Sequence, residues 1–255
     1  MHVRSWISLF YLFWMRRCWA MKDLWILRHG QATHNPRAEA AKDAGCSHER
    51  FLELMREDDS LDSPLTPLGQ QQADAVAQRL QGLRESNDFD LVVSSPLSRA
   101  LETADRAWSS CSNRVCIEGF REINGWLLNA KRRSKSELED RFPHWDVSHL
   151  EHHDDVLWTD ELETNAACSD RGYAGLQWIY QRPESSVLLV AHGGILRFTM
   201  DEHPLVRIRD DRLTVDSGRS SKARFSNCEL RRYRLDHDGE SKVVTLTEVD
   251  LATQS

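Results

Sequence analysis

Short apolar runs alternate along this chain with segments whose apolar positions repeat at helical spacing. The run Asp23 to Arg28 (DLWILR) predicts a buried strand ending in a His-Gly loop. Residues 36–60 are polar and charged and predict loose helix. Thr66 then Pro67 is a helix start: a hydroxyl cap, followed by a residue whose fixed φ suits the first turn. The helix it opens is predicted over Leu68 to Leu83, with Ala73, Val76, Ala77 and Leu80 on one face. A second strand is predicted over Asp90 to Ser94, and after the break at Pro96 a helix over Leu97 to Trp108. Arg114 to Glu118 predicts a third strand, Arg171 to Gln181 a helix, and Val187 to Ala191 a fourth buried strand. Ile195 to Met200 starts another helix. Glu229 to Leu235 and Val243 to Val249 alternate and predict edge strands.

Strands alternating with helices imply an α/β fold, a three-layer sandwich with a mostly parallel central sheet and helices on both faces. Residues 123–165 lack a sheet signal and are rich in Trp, His, Arg and acidic side chains. They predict a small helical and loop cap over the sheet. A length of 255 residues, 40% of them apolar, suits one sizeable core, so residues 21–255 are taken as a single domain. Residues 1–20 stand apart. Trp6 to Met15 is almost wholly apolar and is followed by Arg16 and Arg17. About ten apolar residues are too few to span a bilayer, and no A-x-A cleavage pattern follows. A disordered leader, a signal-like segment, and a stretch absent from a mature chain that starts at Met21 remain open.

Charge narrows the partners. The net charge is -7 and the pI about 5.9, which argues against non-specific nucleic-acid binding, since that needs a basic face. An anionic ligand must therefore be drawn by a local basic pocket. The six cysteines form no CxxC pair and read as free thiols of a reducing, cytoplasmic setting. The apolar N-terminal run leaves secretory or organellar targeting open. Cys111 with Cys116 is the best disulfide candidate.

In sheets of this kind ligands sit beyond the carboxyl ends of the strands. Three of the apolar runs end in reactive residues: Arg28-His29-Gly30, Ser94-Ser95-Pro96-Leu97-Ser98-Arg99 and His192-Gly193-Gly194. Together they would supply two guanidiniums and two imidazoles. The planar donor fork of Arg matches phosphate oxygens. A neutral imidazole can accept a phosphoryl group, and a second can donate to an equatorial oxygen as charge builds there. The Gly pairs are expected to let the backbone approach an anion closely. No G-x-G-x-x-G follows the first strand, which excludes a dinucleotide-binding reading.

These segments resemble the histidine phosphatase superfamily, which includes the cofactor-dependent phosphoglycerate mutases. Leu27-Arg28-His29-Gly30-Gln31 is similar to its signature, and Asn35 falls at the spacing of its phosphate-contacting asparagine. Leu65-Thr66-Pro67-Leu68-Gly69 resembles its helix-opening motif. Ser94 to Ala104 resembles its second arginine motif, and Ala191-His192-Gly193-Gly194 its second histidine segment. The resemblance covers roughly residues 22–200, in family order. It implies that His29 is the nucleophile, with Arg28, Asn35, Arg99, His192 and Gly193 around the phosphate. It further implies a carboxyl group after the third strand as proton donor. Glu122 is the candidate, with Glu118 as the neighbouring alternative. The chain departs from the pattern at Gln31 and Ala32, where the family often has Glu and then a hydroxyl residue; Thr33 comes one residue late.

No metal or other cofactor is implied. The cluster of His144, His149, His152, His153, Asp154 and Asp155 is irregularly spaced and is expected to be a solvated loop. The expected partner is a small phosphorylated metabolite, with no nucleic acid and no stable membrane span. Of the outcomes such a site allows, hydrolysis of a phosphomonoester is favoured. Arg99 and Glu122 are separated by 22 residues, fewer than in glycolytic mutases, and the segment Phe142 to Trp158 looks like the mutase-like proteins of plants and fungi. Phosphoglycerate-mutase-type transfer and a non-catalytic phospho-ligand module are the alternatives.

Overall fold

The computed structural model describes residues 21–84, 88–210 and 223–251. The apolar run Trp6 to Met15 and Cys18 lie outside the described residues. Seven strands form one sheet among the described residues: β1 (Lys22–Arg28), β2 (Leu91–Ser94), β3 (Arg114–Cys116), β4 (Ser186–Ala191), β5 (Val206–Asp210), β6 (Leu230–His237) and β7 (Val244–Val249). Their order is β3-β2-β4-β1-β6-β7-β5. Strands β1, β2, β3 and β4 pair in parallel, and β6 runs antiparallel to both β1 and β7. The sheet is thus mostly parallel, as its apolar runs imply.

The expectation that the last two strands lie at the edge is corrected. β6 sits between β1 and β7, and β7 between β6 and β5. Alternation along a strand reports how its two faces are covered, and an interior antiparallel strand alternates as readily as an edge one. The outer strand on that side is β5, which pairs in parallel with β7, and β3 forms the opposite edge.

Helices lie on both faces. α1 (Pro36–Asp43) and α2 (His48–Glu57) follow β1; α3 (Pro67–Arg84) and α4 (Ser98–Ala107) flank β2. α5 (Lys135–Arg141) lies in the long excursion, and α6 (Asn165–Gln181) and α7 (Gly193–Arg197) flank β4, with α7 continuing as a π turn to Glu202. Alternate strand residues feed two cores. Trp25, Leu27, Val92, Leu188 and Val190 meet Val76 and Leu80 of α3 and Ala100, Leu101 and Ala104 of α4. Leu24, Ile26, Val93, Val187 and Leu189 meet Cys168, Leu176 and Ile179 of α6 and Ile195 of α7. A period of two, buried on both faces, is what a middle layer requires.

Local chemistry sets the element starts. Thr66 Oγ1 accepts the Gly69 N–H at 3.0 Å and so caps α3. Its hydroxyl also reaches Gln31 Oε1 at 2.9 Å, tying α3 to the loop after β1. The two loops touch closely: a Cβ on Gly30 would fall 2.5 Å from the Gly69 carbonyl oxygen. Glycine at that position therefore serves the packing of the two loops.

Residues 117–164 form an excursion of short turns plus α5, whose Ser134 and Glu137 make a reciprocal capping box. Two arginines hold it, Arg121 buried and Arg171 half-buried. Arg121 bonds Glu118, Asn124, the Ala130 carbonyl and both oxygens of Asp155. Arg171 of α6 donates to the carbonyls of Glu118, Gly119, Arg121 and Glu122 and pairs with Glu163. This corrects the reading of Asp155 as part of a solvated loop: its side chain is 1% exposed and paired with Arg121 at 2.7 Å. The histidines of that stretch go separate ways, His144 to Asp105, His149 against Trp178 and His153 to Asp154.

Cys46, Cys111, Cys116, Cys168 and Cys228 are free, so Cys111 and Cys116 are unpaired with each other. Among the described residues no helix is long and apolar enough to cross a membrane.

Candidate active site

The carboxyl ends of β1, β2 and β4 lie side by side because the strand order places β1 and β2 on either side of β4. Arg28 pairs with Ala191 across β1 and β4, and Ser94 pairs with Val190 across β2 and β4. The residues that follow these ends, far apart in sequence, therefore converge. The rings of His29 and His192 lie 4.8 Å apart between centroids, and both are buried.

His29 has a defined tautomer. Its Nδ1 lies 2.6 Å from the Gly30 carbonyl oxygen. A carbonyl only accepts, so Nδ1 carries the hydrogen and Nε2 of the neutral ring is left with a free lone pair. Burial, then Arg99 and Arg28, hold the ring well below its ordinary pKa, so it is neutral near pH 7. His192 is neutral for related reasons: burial first, then Arg99 and the neighbouring His29. Both of its ring nitrogens are buried and unpartnered.

Arg99 is fully buried at the start of α4. It donates to the Asn129 carbonyl at 2.6 Å, and its Nε has no partner. Burial pushes its pKa down to about 10, which still leaves it charged at neutral pH. Arg28 donates to the Phe225 carbonyl at 2.9 Å and to Glu39 at 2.5 Å, while its Nε is buried and unpartnered. A Cβ on Gly193 would come within 3.3 Å of that Nε, so a bare backbone gives the Arg28 side chain its seat. Lys42 extends the basic character outward; burial and then Arg28, Arg224 and Arg197 hold it below its ordinary value.

Glu122 lies in the same group. Its carboxylate accepts the N–H groups of Gly194 and Ile195, at 3.0 and 2.9 Å, at the start of the helix that follows His192. It also accepts its neighbour Ile123 N–H at 2.9 Å. Glu118, the alternative, is occupied by Arg121 and Arg132, at 2.9 and 2.6 Å, and holds the excursion together. Asn35 is buried, with Oδ1 accepting Ala32 N–H at 3.0 Å and Nδ2 lying 3.1 Å from Nε2 of His34.

Two residues of this site went unremarked in the sequence. His34 is 2% exposed and within electrostatic reach of Arg99 and Arg28. Its only signal was its place directly before Asn35. Asp62 accepts Ser98 N–H at 2.7 Å and Ser98 Oγ–H at 2.5 Å, and so orders the first turn of the Arg99 helix. The hint was that Leu97 cannot cap this helix with its side chain.

Such a site can grip a tetrahedral dianion between two guanidiniums while presenting a bare ring nitrogen to its centre. The family model described as "Histidine phosphatase superfamily (branch 1)" matches residues 24–245. Phosphoglycerate mutase-like protein 1 of Arabidopsis thaliana is 29% identical over 255 residues, covering 86% of this chain and 82% of that protein. Phosphomutase-like protein 3 of Candida albicans is 28% identical over 189 residues, 71% of this chain and 59% of that one. Among solved structures, a candidate alpha-ribazole-5'-P phosphatase of Escherichia coli superposes with a TM-score of 0.51 at 21% identity, covering 90% of this chain and 96% of that one.

Proposed function

Because this chain belongs to the histidine phosphatase superfamily, we propose that it hydrolyses a small phosphomonoester by way of a phosphohistidine on His29. The observation that carries the reading is the His29 ring itself. Its Nδ1–H is committed to the Gly30 carbonyl, and its Nε2 lone pair is free in a ring kept neutral by burial and two arginines.

The steps follow from that geometry. Arg28 and Arg99 bind the phosphate oxygens, with Gly193 leaving room for Arg28 and Asn35 beside them. His29 Nε2 attacks phosphorus, and the bond to the leaving oxygen breaks. Glu122 in its acid form gives that oxygen a proton, and the alcohol departs. Water then attacks the phosphohistidine, Glu122 takes a proton from it, and inorganic phosphate leaves with the ring restored. One carboxyl group serves both half-reactions in turn. His192 donates to an equatorial oxygen in the transition state, where such a contact is worth about 3–4 kcal/mol. The excursion 123–165 acts as the cap that selects the substrate, and residues 21–255 work as one domain. A cytoplasmic setting accords with the free thiols.

The names of the Arabidopsis and Candida relatives keep phosphoryl transfer between positions of one substrate as a second reading. One set of assays separates the two. The chain is expected to release inorganic phosphate from p-nitrophenyl phosphate between pH 4 and 8 and from members of a metabolite panel. Fast isomerisation of 3-phosphoglycerate in the presence of catalytic bisphosphoglycerate, without phosphate release, overturns the hydrolase reading. His29→Ala is expected to abolish turnover and the acid-labile phosphoenzyme while the fold survives. Persistent activity in that variant removes the mechanism.

A further inference from the structure

The site holds a third imidazole that the reaction above does not use. His34 lies in the loop between β1 and α1, 2% exposed, in one electrostatic cluster with Arg99, Arg28, His29 and His192. Its orientation is fixed by its neighbour. Asn35 Oδ1 accepts the Ala32 N–H at 3.0 Å, which settles which end of the Asn35 amide is oxygen. The other end, Nδ2, can only donate, and it meets His34 Nε2 at 3.1 Å. His34 Nε2 is therefore the acceptor, and in the neutral ring the hydrogen must sit on Nδ1. Burial, Arg99 and Arg28 keep that ring neutral near pH 7.

This Nδ1 is buried and has no hydrogen-bond partner. A buried N–H without an acceptor carries a desolvation penalty that native structures rarely leave unrelieved. The adjoining residues offer no competing donor group, since Ala32 has no polar side chain and Thr33 is exposed. An oxyanion held by Arg28 and Arg99 would bring acceptor oxygens into the cluster that His34 shares with both arginines. We propose that His34 is a phosphate-binding residue whose Nδ1–H donates to an oxygen of the phosphoryl group, with Asn35 as the positioning residue that fixes its tautomer. The proposal rests on the phosphohydrolase reading and adds a third ring to its binding set. A neutral donor suits that place, because it adds a hydrogen bond without adding charge beside two cations.

The test uses inorganic phosphate as the probe, with calorimetry and ¹⁵N-histidine NMR on the full chain. Phosphate is expected to bring the His34 Nδ1–H into a hydrogen bond, seen as a downfield, exchange-protected proton. His34→Ala is expected to weaken phosphate at least tenfold at pH 7. His34→Asn, whose amide nitrogen overlays Nδ1, is expected to restore binding to within about threefold. Unchanged phosphate affinity in His34→Ala, or equal losses in both variants, overturns the proposal. So does a phosphate titration of the unaltered chain that shifts His29 and His192 but leaves His34 unmoved, and in that case the phosphohydrolase reading survives. A titration that shifts none of the three rings overturns both. The NMR arm needs no variant and holds even where a substitution prevents folding.

Discussion

Replacing Asp62 by Asn should remove a pH dependence from the stability of the whole fold. Asp62 is fully buried, and its carboxyl group is pushed up to about 6, chiefly by burial. The bonds from Ser98 and the charges of Arg99 and Arg133 oppose that rise without cancelling it. An Asp in the unfolded chain titrates near 3.9, so the difference is about two pH units, or about 3 kcal/mol at 1.36 kcal/mol per unit. The direction follows from linkage. Between roughly pH 4 and 6 the folded state binds more protons than the unfolded one, so this contribution falls as pH rises. It is complete below about pH 4 and gone once pH has passed through about 6. In Asp62→Asn the side chain cannot ionise. The lost or altered hydrogen bond to Ser98 adds an offset that does not vary with pH and so cancels from the comparison. Urea unfolding of both proteins at intervals from pH 4 to 7 should show the parent losing about 3 kcal/mol relative to the variant over that range. In thermal scans this is a relative shift of about 6–12 °C for a domain of this size. A stability difference that stays constant from pH 4 to 7 would refute the argument. It would mean that the Asp62 carboxylate is compensated in the fold by more than Ser98 and the nearby arginines.

Two further substitutions test other joints of the structure. Gly194→Ala places a Cβ about 2.2 Å from Glu122 Oε1, so the carboxylate must move; phosphatase kcat should fall more than tenfold with little change in phosphate affinity, and an unaltered kcat would detach Glu122 from the chemistry. Arg121→Met strands the buried Asp155 and should cost about 3–5 kcal/mol in urea unfolding. The double variant with Asp155→Leu should regain part of that loss, and failure to regain any would show that the other Arg121 bonds, to Asn124 and the Ala130 carbonyl, carry the effect.

The sequence by itself determined the middle layer of this protein and the groups at its strand ends. DLWILR, DLVVS and VLLVA are short apolar runs cut off by polar residues, and a strand buried on both faces leaves no other pattern. Where such a run stops, the next side chain must emerge at the rim of the sheet, so His29 and His192 could be read directly, while Arg99 follows β2 by five residues in the first turn of α4. Tertiary structure alone decided who meets whom. Alternation in β6 reported covered faces but not its place between β1 and β7. Asp62 and Ser98 stand 36 positions apart, and nothing in either residue's neighbourhood announces the other. Glu118 and Glu122 are the same chemistry four residues apart; the turn between them sends one to Arg121 and Arg132 and the other to the helix after His192. His34 is the sharpest case, because a lone histidine in a loop has the same sequence pattern whether solvated or buried. Periodicity records the environment of a side chain's own face, while hydrogen-bond partners, tautomers and charge neighbours belong to pairs of residues that only the folded chain brings within reach.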